Sequence, residues 1–137
     1  MKRKKYALIY LLLTVAFVSG CAQKHKEGEP DVISSIKMYQ DEMLTVVANR
    51  NQIEDKEEFA ELLVKKCKEN SFQSVKFSTD SGYATSLNLR VCLWEDEIAG
   101  QEPVMVVEYK PVEWGKDYDI VHEPEKFQMY VDGELME

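Results

Sequence analysis

Histidine and cysteine are scarce in this 137-residue chain, and each shortage removes a class of chemistry. The two histidines, His25 and His122, are far apart in the chain, so a metalloprotease helix, which needs two imidazole ligands four residues apart, is excluded. The three cysteines, Cys21, Cys67 and Cys92, are far apart and supply neither a CxxC redox pair nor a zinc knuckle. Six glycines form no phosphate-cradling loop or dinucleotide fingerprint, and no serine stands in a nucleophile elbow. A Cys-His enzyme would need Cys67 or Cys92 beside His122. Cys67 reads as core, however, and Cys92 sits in mid-strand, away from any helix N-terminus that would lower its pKa. No catalytic residue is assigned, and the chain is expected not to be an enzyme. Beyond the first five residues a basic patch is missing too, which argues against nucleic acid, because a phosphate backbone requires clustered cations.

What is present begins at the N-terminus. Lys2, Arg3, Lys4 and Lys5 precede thirteen uncharged residues, Tyr6 to Val18, and the run closes on Val18-Ser19-Gly20-Cys21. The apolar stretch is shorter than the roughly twenty residues that a membrane span needs, and it ends in small residues instead of a stop-transfer cluster. This order of basic, apolar and small residues resembles the signal peptide and lipobox of bacterial lipoproteins, with Val18 where leucine is commoner. The resemblance covers residues 1–21. It implies cleavage before Cys21, acylation of that cysteine by palmitate-like chains, and a lipid-anchored place on the extracytoplasmic face of a bacterial cell membrane. Two or three acyl chains, at about 0.8 kcal/mol per buried methylene, give a stable anchor.

The expected organisation is therefore a signal peptide over 1–20, a lipidated cysteine and polar tether over 21–30, and a single domain over 31–137. As a flexible coil, residues 22–30 would span about 17 Å, keeping the domain near the bilayer. Removing residues 1–20 takes four cations and no acid, so the remaining 117 residues carry a net charge of −12. Residues 95–137 hold thirteen acids against Lys110, Lys116 and Lys126. Such a body is repelled by anionic headgroups, and its charge permits a cationic partner while also serving solubility alone.

The apolar pattern predicts an α+β fold. Asp31 after Pro30 caps a first helix in which Ile33, Ile36, Tyr39 or Gln40, Met43 and Val47 recur at three- and four-residue intervals, ending near Asn49. Asp55 and Glu58 form a capping box for a second helix with Phe59, Leu62, Leu63, Lys66 and Cys67 on its inner face, ending near Asn70. The period then changes to two. Val75 and Phe77 mark a first strand, Asp80-Ser81-Gly82 a turn, 84–94 a longer strand, 104–109 a third between Pro103 and Pro111, and 127–131 a fourth before Asp132-Gly133. The expected architecture is two N-terminal helices packed on one face of a four-stranded antiparallel meander. By element order it is similar to cystatin-type rolls and to the two-helix, four-strand domains of beta-lactamase inhibitor protein and small outer-membrane assembly lipoproteins, a likeness that carries no function. Cys67 facing the core and Cys92 opposing the leucine row would lie on different sides of the sheet, which disfavours a disulfide.

Two surfaces are candidates for function. Trp94, Arg90, Tyr109, Trp114 and Tyr118 could form an aromatic partner surface on the face that the helices leave uncovered. Asp117, Asp119, His122 and Glu123 concentrate ligand atoms in one loop, a candidate calcium site that lacks the EF-hand spacing; a solvated acidic loop accounts for the same residues without a cofactor. The expected function is a membrane-anchored, non-enzymatic binding module for an unknown protein, peptide or envelope component. The alternatives are a small envelope hydrolase or metal-binding protein using the His122 loop, and an inhibitor presenting a turn such as Asp80-Ser81-Gly82.

Overall fold

The computed structural model describes residues 28–98, 100 and 102–137. Two strands, β1 (Asp31–Met38) and β2 (Asp41–Val47), precede the helix α1 (Lys56–Glu69). Four more follow: β3 (Ser86–Cys92), β4 (Met105–Pro111), β5 (Phe127–Val131) and β6 (Glu134–Leu135). They form one six-stranded sheet in the order β1-β2-β3-β4-β5-β6. Every neighbouring pair is antiparallel except β2–β3, which runs parallel. A parallel pair cannot be closed by a tight turn, so the chain crosses over between β2 and β3, and α1 lies in that crossover.

This architecture corrects the expected one. Among the described residues there is one helix on a six-stranded mixed sheet, not two helices on a four-stranded meander. The segment expected as a first helix is the β1–β2 hairpin, in which Ile36 pairs with Met43 and Met38 with Asp41 across the turn Tyr39-Gln40. Residues four apart share a face in a strand as well as in a helix, so the Met43–Val47 spacing fits both. Glu42, Leu44 and Val46 alternate at period two, but a register irregularity between Val32 and Ser34 breaks that period in β1. The turn also lacks a glycine signal, since Tyr39 itself takes the positive φ of 58°.

The expected first strand at Val75–Phe77 is a loop. The side chain of Asn70 donates to the Phe77 carbonyl at 3.0 Å and accepts from the Phe77 N–H at 2.8 Å, so both backbone groups are satisfied without a strand partner. The edge of β3 that this segment was expected to fill is taken by β2. The loop is fastened elsewhere by Asp31, whose carboxylate accepts from the Ser74 N–H at 3.1 Å and from the Ser74 hydroxyl.

The second helix forms where its capping signals place it. Asp55 accepts from the Glu58 N–H at 3.0 Å, and Asn70 ends the helix in the left-handed region at φ 54°. A cap of this kind contributes about 1 kcal/mol. The inner face of α1 buries Phe59, Ala60, Leu63, Val64 and Cys67. Opposite them stand Leu44 and Val46 of β2, Leu87, Leu89 and Val91 of β3, and Met105 and Val107 of β4. Each fully buried large apolar side chain contributes about 1.5–3 kcal/mol, which makes this single layer the main source of stability.

The expected lipidation site, Cys21, and the signal peptide over 1–20 lie outside the described residues. Of the expected tether, Gly28–Pro30 are described, and they are held to the body. Gly28 N–H donates to Asn49 O at 2.6 Å, the Asn49 amide donates to Glu29 O at 2.9 Å, Lys66 pairs with Glu29 at 3.2 Å, and Pro30 is buried. No helix among the described residues is long and apolar enough to cross a membrane.

Tyr39 is 94% exposed at its positive φ, so its side chain makes little packing contribution to offset backbone strain. Asparagine tolerates this conformation and a β-branched residue does not. Tyr39→Asn is expected to raise unfolding free energy by about 0.5 kcal/mol and Tyr39→Val to lower it by about 1–2 kcal/mol, as read by urea titration.

Candidate functional site

Because α1 covers one face of the sheet, the alternate residues of every strand point to the other. A continuous row crosses that face from edge to edge: Ile36, Met43, Asn88, Glu108, Tyr130 and Leu135, each paired with the next. Val47 and Cys92, paired across β2–β3, are buried at one end. Toward the other end Ile36, Met38 and Met43 remain exposed together. Arg90, in the expected partner surface, is on this face and exposed.

The other residues of that expected surface are not gathered around Arg90. Tyr109 is buried on the helix side, stacked on Phe127 with ring centroids 5.0 Å apart, and its hydroxyl donates to Pro124 O at 3.2 Å. Trp94 follows the C-terminal end of β3, while Trp114 follows β4, which runs antiparallel to it. The two tryptophans therefore leave the sheet at opposite ends, and the seven-residue strand between them spans about 20 Å. Trp94 is half-buried and Trp114 is 76% exposed. The half-buried Tyr118 lies beneath the Lys126 ammonium, 5.4 Å from the ring centroid.

The acidic loop satisfies itself. Asp119 Oδ1 accepts from the N–H groups of Val121 at 2.9 Å and His122 at 2.7 Å, and Oδ2 lies 2.9 Å from His122 Nδ1. Glu123 turns back to accept from the Asp119 N–H at 2.9 Å. Burial alone would raise the Asp119 pKa, but the hydrogen bonds from His122 and Val121 outweigh it and hold the carboxylate below its ordinary range. Asp117 is exposed. Among the described residues no group of three or more His, Cys, Asp or Glu side chains is placed to hold a metal ion. His122 is committed on two sides, to Asp119 and, edge-on at 5.0 Å, to the ring of Tyr83. The Asp80-Ser81-Gly82 turn is exposed, with the Gln40 amide bonded to Ser81 O.

A residue not singled out in the sequence stands on the helix side. Glu42 is 4% exposed, within the same alternating row as Leu44 and Val46, and its Oε2 is buried with no hydrogen-bond partner. It borders a cavity of about 30 Å³ that Cys67, Phe77, Tyr83, Leu87 and Ile120 help to line. Burial raises the Glu42 pKa, and the charge of Lys37, its partner across the hairpin, opposes the rise. Cys67 is likewise pushed up, by burial first and by Glu42 second, so its thiol stays protonated. Cys67 and Cys92 are both buried free thiols. An acid set at period two between apolar residues was the available sequence signal for Glu42, and reading the segment as a helix concealed it.

With this geometry in place, comparison with known proteins finds no matching family model, no matching curated protein and no matching solved structure.

Two outcomes are expected. The folded protein holds the Glu42 proton to higher pH than the unfolded chain, so this group's contribution to stability falls as pH rises from the unfolded carboxylate range toward the raised value. Glu42→Gln should therefore be more stable than the parent at about pH 7, with the advantage shrinking at about pH 4, in paired thermal melts. Since both Asp119 oxygens and Glu123 Oε2 are engaged internally, millimolar calcium should leave the melting temperature unchanged.

Proposed function

We propose that this chain is a non-enzymatic binding module, tethered through Cys21 to the extracytoplasmic face of a bacterial membrane, that captures a protein partner on the helix-free face of its sheet. The address rests on the order of basic, apolar and small residues over 1–21. The binding surface rests on one observation, the joint exposure of Ile36, Met38 and Met43 along β1 and β2. Large apolar side chains grouped on one face lose free energy to water that a partner could recover, and adaptable methionines suit such a surface. The partner that fits carries apolar side chains for this group and a carboxylate for the nearby Arg90.

Affinity capture from native membranes with the lipidated full chain tests the reading. Met38→Glu combined with Met43→Glu should reduce recovery of a specific partner about tenfold or more, with stability altered by no more than about 0.5 kcal/mol. Cys21→Ala should release the chain from the membrane. Undiminished capture by the double variant would remove the sheet face from consideration.

A further inference from the structure

We infer that the Glu42 cavity, on the opposite side of the sheet from the proposed partner face, is a binding site for the ammonium head of a primary alkylamine. A carboxylate buried to this degree needs compensation for the water it has lost, and Oε2 receives no hydrogen bond. Of the two lysines beside Glu42, Lys68 lines the cavity itself, and neither donates a hydrogen bond to Oε2. Lys37 lies across the hairpin and is exposed, while the Lys68 ammonium sits 4.9 Å above the ring of Tyr109. A small cation would supply both charge and donors.

Size and lining narrow the class. A volume of about 30 Å³ admits a group about as large as one or two water molecules, which suits an ammonium head and excludes its alkyl chain. The chain must then leave through the open side, where Ser78, Gly82 and Tyr83 are exposed. The lining there mixes the polar side chains of Ser78 and Thr79 with Phe77, Tyr83 and Val121, which are available to a hydrocarbon stem. A neutral hydroxyl would leave the carboxylate charge unbalanced. A bulky or quaternary ammonium would not enter.

The experiment compares n-butylammonium with its neutral counterpart n-butanol and with tetramethylammonium on the full chain in detergent. Glutamate carboxyl ¹³C resonances and the melting temperature are the readouts. Saturable perturbation of the Glu42 resonance by millimolar n-butylammonium is expected, accompanied by a rise in melting temperature, and neither butanol nor tetramethylammonium should reproduce it. In Glu42→Gln the affinity should fall about tenfold or more. Tighter binding of an acetylated, amidated lysine than of butylammonium would identify a lysine side chain as the source of the head, and the reverse would identify a free amine. Equal responses to butylammonium and butanol, or no saturable response from the parent protein, would overturn the inference without reference to any variant.

Discussion

The parallel pairing of β2 with β3 is the constraint on which the rest of this structure depends. Leu44 stands beside Leu89 and Val46 beside Val91, so the centre of the sheet is an apolar double row on one face. Parallel strands require a long return, and the return here contains α1, which lays Phe59, Leu63 and Val64 over that row. The antiparallel neighbours extend the sheet outward from this centre in chain order.

One crossover supplies one helix, and one helix covers one face. Two consequences follow from this asymmetry. The opposite face keeps Ile36, Met38, Met43 and Arg90 exposed, although Val47 and Cys92 at its far end are buried. On the covered side, the helix ends at Asn70 and the loop that follows is fastened by the Asn70 amide and by Asp31, instead of by a strand ladder. This irregular roof leaves room above Glu42, where a strand or a second helix would pack more closely. Both the open sheet face and the cavity are products of incomplete coverage.

The elements that were legible in the sequence carried local chemistry strong enough to hold in any context. Asp55 and Glu58 mark the start of α1 because orphan N–H groups need an acceptor there, and Asn70 marks its end because it tolerates a positive φ. Phe127–Val131 and the Asp132-Gly133 turn are legible for the same reason. The hairpin was not, because its turn residue Tyr39 carries no turn signal and the irregularity near Ser34 shifts the alternation. Of the expected aromatic surface, Arg90 is on the open face, but Tyr109 belongs to the core and the two tryptophans leave from opposite ends of the sheet. Proximity along the chain does not determine which end of a strand a residue leaves.

The sequence by itself determined the acidic balance of the chain, the position and caps of its helix, three of its strands and the basic-apolar-small order of its first 21 residues. Those are properties of composition or of groups within a few residues of one another, for which local sterics and hydrogen bonding suffice. Only the tertiary structure decided that residues 31–47 are paired strands, that β2 lies parallel to β3, and that Glu42 is buried with Oε2 lacking a hydrogen bond. Each of those depends on what stands opposite across the sheet or beneath the helix. For an ambiguous segment the surface it can bury against distant partners outweighs its own weak periodicity.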